Sequence, residues 1–309
     1  MTASRSVLVT GGNGFIGRHL VRRLLCDGCK VLLLQRSSDQ VSVGTELLRI
    51  DRFEPANIMA ALAGRHFDWI FHLAGYGVYP RDRDTKTMFD INVNAVRALV
   101  EGASFCSPRA VVVAGSGSEY RLDGIERPVT EDHPLEPYKL YGASKAAGTL
   151  CSTALAASRH IPFAACRIFG VYGPGEAPHR LLPSLICGRH GSGRIPLSPG
   201  VQRRDFMFVD DLVDALVKVA VALEREPRQF ILNVGTGRPI SVREFVHIAA
   251  AVLGIGEDRL GFGDIPARPD EPMMFSGNSS RLQALTGWKA TIEPREGVRR
   301  SVDASVFDA

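Results

Sequence analysis

Tyr141 and Lys145, in the stretch YGASK, stand four residues apart, and no other of the six tyrosines has a lysine at that spacing. On a helix, side chains at i and i+4 project from one face. A phenol ordinarily titrates at about 10, so it exchanges protons at neutral pH only when something favours its phenolate. A neighbouring lysine ammonium does this, and an oxidised nicotinamide ring adds to the effect. Lys145 also has the reach to bond nicotinamide ribose hydroxyls. Upstream, VVVAGSGSEY puts Ser116 at the end of an apolar run that reads as a buried strand. A hydroxyl there lies on the face where doubly wound sheets bind ligands, and it can bond a substrate carbonyl or alkoxide. Ser116, Tyr141 and Lys145 together would serve hydride transfer to or from a carbon bearing oxygen.

Such chemistry needs a dinucleotide, and VLVTGGNGFIGRHLVRRLL offers a place for one. Gly11, Gly14 and Gly17 fall between a β-branched run and an amphipathic one, spaced G-x-x-G-x-x-G where simpler dinucleotide folds have G-x-G-x-x-G. Glycine permits the tight turn and lets backbone amides approach a pyrophosphate, and the helix N-terminus that follows favours negative charge. Gly11, Gly14, Phe15, Ile16, Gly17 and Arg18 are therefore expected around the cofactor. At the end of the second strand, LLLQRSSD has Gln35 and Arg36 in place of the acidic residue that bonds the ribose of NAD. Arg36 can instead pair with the 2′-phosphate of NADP, assisted by Arg18, so NADP is the expected cofactor and NAD stays open. Asp51, ending the third strand, is placed to accept the adenine amino group, whereas His72 reads as a structural histidine.

These groups need a scaffold. The runs SVLVT, KVLLL, ELLRI, DWIFHLA, AVVVAG and FAACRIF read as strands, with helices near 14–26, 55–63, 85–104 and 141–159 between them. Continuous apolarity without alternation marks strands buried on both faces, so the expected fold is α/β, a doubly wound parallel sheet of the Rossmann type. Beyond residue 170 the chain becomes rich in Gly and Pro, which suits a smaller, loop-rich lobe. VDDLVDALVKVAVALE then restores an amphipathic helix, with Asp210 or Asp211 placed to cap it. Residues 1–170 and about 205–240 are assigned to the dinucleotide domain, and about 171–204 and 241–309 to a substrate lobe.

With 309 residues, 45% of them hydrophobic, the chain can fill a sizeable core. The formal charge of +4 comes without any block of like charges, which argues against a nucleic-acid partner. The N-terminal apolar run is too short for a signal peptide or a membrane span, so a cytoplasmic protein is expected. Six cysteines lack a framework of spacings, and the lone CDGC has no second pair or histidine nearby, so neither metal nor disulfide is expected.

The motifs TGGNGFIG, HLAG, NVNAVRALVEGA, GSGSEY, YGASK, RIFGVYGPG, RRDFMFVDDLVDA, NVGTG and LTGW, in this order, resemble the extended short-chain dehydrogenases/reductases, also called the NAD-dependent epimerase/dehydratase family. The resemblance spans essentially the whole chain. It implies a Rossmann domain, a C-terminal lobe for a nucleotide sugar, and often a homodimer formed through helices like 85–104 and 141–159. By motif, Tyr141 would be the acid/base, Lys145 its activator and ribose ligand, and Ser116 the hydroxyl contact beside Ser118. Leu73 and Ala74 of HLAG would line the cofactor, Asn94 would support the site from the neighbouring helix, and Arg204 would meet the substrate diphosphate.

The departures from the family pattern narrow the function. Its dehydratases carry an Asp-Glu pair after the active-site hydroxyl residue, where this chain has Gly117 and Ser118. Its epimerase-reductases add a Cys/His pair; His179 lies in a suitable segment, as a loop residue of the substrate lobe, but no cysteine matches. Asn278 replaces the acidic residue before the LGW-like pattern. Three readings follow: an NADPH-dependent 4-ketoreductase of a deoxysugar nucleotide, a 4-epimerase that retains its cofactor, and a cofactor sensor without chemistry. The complete Ser116, Tyr141 and Lys145 set argues against the sensor, and Arg36 tilts towards the reductase.

Overall fold

Seven strands in the computed structural model, which describes residues 4–36, 43–79, 81–269 and 271–307, form one parallel sheet. They are β1 (Ser6–Thr10), β2 (Lys30–Gln35), β3 (Thr45–Arg49), β4 (Trp69–His72), β5 (Ala110–Ser116), β6 (Phe163–Ile168) and β7 (Gln229–Val234), in the order β7-β6-β5-β4-β1-β2-β3. The order reverses between β1 and β4, so the loops leaving these two strands diverge and open a crevice at the carboxyl edge. Register places Thr10 of β1 beside His72 of β4, and His72 beside Val113 of β5.

The continuous apolar runs have a direct physical cause. Alternating side chains send Val7, Val9 and Val112 into one core and Leu8, Val111 and Val113 into the other. Both faces are covered, so no polar face is needed. On the first face α1 (Phe15–Cys26) brings Leu20, Val21 and Leu24, and α7 (Val209–Arg225) brings Leu212, Leu216 and Val219. On the second lie α2 (Pro55–Leu62), α4 (Val96–Ala103) and the end of α5 (Leu140–Ser158).

The helix expected over 85–104 is not continuous. Asp84 caps a short α3 (Thr85–Phe89), accepting from Thr87 N at 2.7 Å, and then Asp90–Ala95 widens to a π-helix before α4 resumes. Against this wide turn lies Gly148 of α5, where a Cβ would overlap the Asn92 carbonyl oxygen.

Beyond β6 the chain builds a separate core from Tyr172, Phe208, Leu182 and Leu185 of α6 (Leu181–Gly188), Phe245, Val246 and Ala249 of α8 (Val242–Leu253), and Val298 of α10 (Pro294–Phe307). Short strands fasten it. Arg203–Arg204 pairs antiparallel with Ile240–Ser241 and parallel with Met274–Phe275. Neither expected aspartate caps α7, because Phe208 occupies that position and both carboxylates fall inside the first turn. Asp211 instead accepts from Thr291 N and Oγ1 and from Ile292 N, while Trp288 Nε1 donates to its carbonyl at 3.1 Å. Leu282 of α9 (Ser280–Thr286) and Trp288 thereby join the first sheet core. Among the described residues, no helix is long and apolar enough to cross a membrane.

The contact of Gly148 with the π segment yields a stability prediction. Gly148→Ala is expected to cost about 1–3 kcal/mol, as overpacking of a close contact does, despite the better helix propensity of alanine. Urea unfolding of wild type and variant measures the difference; equal midpoints would show that the two helices can part freely.

Candidate active site

The glycine loop is built by backbone approach. Gly11 takes a left-handed φ of +70°, and a Cβ there would lie 2.7 Å from Ala74 N and from the Leu73 carbonyl carbon. Gly14 N donates to Gly11 O at 3.0 Å, and a Cβ on Gly17 would overlap that same oxygen. Gly14 then caps α1 without a side chain. The result is a cradle of main chain at a helix N-terminus, beside Leu73 and Ala74 at the switch in strand order. These residues fit a dinucleotide pyrophosphate, whose charge the helix N-terminus favours.

The side chains of Phe15 and Ile16 face away into packing, Phe15 edge-on to His19 at 5.9 Å and Ile16 against the first sheet core. Arg18 is exposed beneath Gly175, at which a Cβ would strike its guanidinium. Arg36 stands exposed just past β2, next to Gln35, whose Oε1 accepts from Asn13 Nδ2 at 2.7 Å and so ties the loop to that strand. Asp51 is exposed two residues beyond β3.

The three chemical residues converge on the same crevice. Ser116 is the last residue of β5 and largely buried; its Oγ accepts from Ser118 N at 3.1 Å and lies towards the Tyr141 phenol. Tyr141 lies in the first turn of α5, its ring packed against Gly77. One turn on, Lys145 is buried and its Nζ donates to the Ala114 carbonyl at 2.6 Å. The electrostatics differ from expectation. Burial raises the Tyr141 phenol above its ordinary value, against the lowering effects of the Ser116 hydrogen bond and the Arg180 charge. Burial also lowers Lys145, opposed by the charge of Glu119. Lys145 is directed to the strand end, where its ammonium meets the Ala114 carbonyl.

The asparagine of the neighbouring helix is Asn92, not Asn94. Asn94 is exposed and donates to Asp90 Oδ1 at 3.2 Å. The π turn directs Asn92 inward, where Nδ2 donates to Tyr76 O at 2.8 Å and to Ser144 Oγ at 3.0 Å while Oδ1 accepts from Tyr76 N. Ser144 Oγ in turn donates to Tyr141 O, so Asn92 joins the loop after β4 to the first turn of α5. His72 is fully buried and hydrogen-bonded through Nδ1 to Thr10 Oγ1 at 2.8 Å, and its Nε2 has no protein partner. Burial, helped by Lys145, pushes its pKa down to about 3, so the ring is neutral.

On the lobe side, exposed His179 sits edge-on to Tyr79 at 5.8 Å, and half-buried Ser118 stays beside Ser116. Arg204 is paired with Glu271 at 2.6 Å, a partner the sequence reading did not supply. That reading also missed Glu176, whose buried Oε2 lacks a protein partner and whose pKa is pushed up to about 7 by desolvation, against the lowering effect of Arg180. Glu176 belongs to the Gly/Pro-rich stretch, where no periodicity assigns a facing direction. Glu119 was missed too, although S-x-x-E at 116–119 is a capping-box pattern and the box forms.

A glycine cradle at the switch in strand order, with Ser, Tyr and Lys gathered at the neighbouring strand end, defines a nicotinamide-dependent enzyme of the short-chain dehydrogenase/reductase type. The model of the NAD dependent epimerase/dehydratase family matches residues 7–235, and the chain belongs to that family. It is 31% identical to a UDP-glucose 4-epimerase of Mycolicibacterium smegmatis, over 96% of this chain and 97% of that one. It is 28% identical to a dTDP-6-deoxy-L-talose 4-dehydrogenase (NAD(P)(+)) of Kitasatospora kifunensis, over 96% and 95%. Among solved structures, MoeE5 in complex with UDP-glucuronic acid and NAD superposes with a TM-score of 0.84 at 30% identity, over 98% of this chain and 100% of that one.

His72 makes the fold sensitive to acid. Its folded pKa lies far below the ordinary 6.5, so between the two values the unfolded chain binds the extra proton, and stability falls as pH drops through that window. The non-titrating His72→Gln is expected to lose less stability than wild type between about pH 6 and pH 4. Denaturant unfolding at a series of pH values measures both slopes; identical slopes would show that His72 charges without penalty.

Proposed function

We propose that the protein is an NADPH-dependent 4-ketoreductase of a 4-keto-6-deoxy nucleotide sugar. The observation that carries this reading is Arg36, exposed just past β2 where a ribose-binding carboxylate would otherwise stand, with Tyr141 beside Ser116 as the proton donor. When bound, the reduced nicotinamide supplies a hydride to the carbonyl carbon. Ser116 donates a hydrogen bond to the carbonyl oxygen and orients it. Tyr141 gives its proton to the same oxygen as negative charge develops there. Lys145, released from Ala114, bonds the cofactor ribose and favours the phenolate left behind. Gly11, Gly14 and Gly17 would hold the pyrophosphate, with Leu73 and Ala74 beside it, Arg36 and Arg18 at the 2′-phosphate and Asp51 at the adenine. Arg204 would meet the substrate diphosphate after parting from Glu271, with Ser118 and His179 lining the sugar side. Exposed Phe89 and Leu150, on α3 and α5, suit the homodimer these helices commonly form in the family.

The second reading, a nucleotide-sugar 4-epimerase with retained NAD(P), draws on the name of the 31% identical relative. The same residues would then take the proton first and return it after the keto sugar turns over. The two are separated by the purified protein: an epimerase carries a nicotinamide that does not exchange, whereas a reductase binds and releases it at each turnover.

Tyr141→Phe removes only the phenolic proton donor, so turnover is expected to fall about 10²- to 10⁴-fold. Cofactor affinity should stay within error, as measured by parallel fluorescence titration. Turnover near wild type would take Tyr141 out of the chemistry.

Cofactor choice is tested at the end of β2. NADPH should bind roughly tenfold or more tightly than NADH, because charged hydrogen bonds contribute on the order of 1.5–3 kcal/mol. Arg36→Ala should shrink that ratio. A wild type that prefers NADH would make Arg36 a bystander and put the epimerase reading first.

A further inference from the structure

Behind the crevice lies a charge with no place in the proposed steps. Glu119 is fully buried, and its two oxygens take three bonds. Oε1 accepts from Ser116 N at 2.9 Å and from Thr149 Oγ1 of α5 at 3.0 Å, and Oε2 accepts from Arg167 Nε at 2.7 Å. Gly115 leaves the room for this, since a Cβ there would come within 2.6 Å of Oε1. Arg167 of β6 is itself 2% exposed, and it lies over the Tyr120 ring with its Nη1 donating to the Tyr120 hydroxyl at 2.8 Å. That hydroxyl donates a hydrogen bond to Asn233 Oδ1 on β7.

A buried ion pair of this kind is weak evidence for stability, because apolar groups of similar volume often serve as well. Its position suggests another role: it grips the backbone of the residue whose hydroxyl lies towards Tyr141, and it grips α5 one turn past Lys145. We propose that Glu119 is a positioning residue of the active site: its carboxylate, anchored on Arg167, fixes the strand-end turn that aims the Ser116 hydroxyl and sets a permanent negative charge behind Tyr141 and Lys145. The inference rests on the reading of Ser116, Tyr141 and Lys145 as the reacting set.

The charge acts on both groups in one direction. It opposes loss of a proton from the Tyr141 phenol and from the Lys145 ammonium. Arg180 faces Tyr141 from the start of α6, and neutral His72 faces Lys145 from β4. Glu131 acts on Tyr120, and its backbone carbonyl meets Arg167 at 3.4 Å. Burial acts most strongly on both groups, and the Glu119 carboxylate adds to it at Tyr141 and opposes it at Lys145.

The test reads Tyr141 directly and needs no substrate. Protein labelled with ¹³C at the tyrosine ζ carbon is followed by NMR against pH, saturated with oxidised cofactor, and the Tyr141 resonance is assigned as the one lost in Tyr141→Phe. Glu119→Gln keeps an acceptor for Ser116 N and removes the charge, so the Tyr141 titration is expected to move to lower pH. The double variant Glu119→Gln/Arg167→Met removes the pair together, avoids a stranded guanidinium, and should move it the same way. Glu119→Asp keeps the charge and should leave the titration near wild type. Thr149→Val, which deletes one bond but no charge, should do the same. A Tyr141 resonance unchanged at every pH in a folded charge-free variant would overturn the proposal, and so would an equal shift in Thr149→Val. A shifted titration in protein that turns over no nucleotide sugar would leave this inference standing and sink the proposed reaction instead.

Discussion

The structure depends on main chain approaching main chain where β1 and β4 part. Gly11 lies against the backbone of Leu73 and Ala74, and Gly17 against the Gly11 carbonyl, each closer than a Cβ would allow. These contacts bring the N-terminus of α1 to the crevice and press the loop after β4 beside it. The same economy of side chains recurs at Gly148 under Asn92 and at Gly115 under Glu119. In each case a missing Cβ lets a polar group reach the site while the surrounding core stays close-packed, and that core fixes the position of every chemical group.

Around this crevice the polar groups are nearly all satisfied inside the protein. Lys145 finds Ala114, Asn92 finds Tyr76 and Ser144, and Arg204 finds Glu271. His72 Nε2 and Glu176 Oε2 are exceptions among the described residues. Unsatisfied buried groups are costly, so a site assembled this way holds its geometry before any ligand arrives. A ligand entering such a crevice does not need to order loose side chains.

Much of this was legible in the sequence because the signals were local. Buried strands declared themselves by unbroken apolar runs, the glycine loop by its place between strand and helix, Ser116 by its place at the end of an apolar run, and Tyr141 and Lys145 by their spacing one strand later. What failed was local geometry set by distant packing. No pattern in DINVNA announces a π turn, so the inward asparagine was assigned to position 94 when the wider turn selects 92. Asp210 and Asp211 look like caps, yet α7 begins two residues before Asp211, which is claimed by Thr291 and Ile292. Glu176 and Arg180 gave no signal, since a Gly/Pro-rich stretch carries no period from which to read a face. Lys145 was identified as chemical, but its partner at Ala114 depends on a tertiary contact.

The bonds between Asp211 and residues 288–292 bear on how the chain can be made. Trp288 and Leu282 belong to the same core as β1 and α1, although more than two hundred and fifty residues of sequence separate them. β7, the edge strand beside β6, likewise follows α7 in the chain. Contacts of such long range incur the loop-closure cost before they return any stability. On a ribosome, the contacts of β1 and α1 with Leu282 and Trp288 form only after those two residues have emerged. Residues flanking the cofactor crevice are thus secured by contacts with a segment translated well after them.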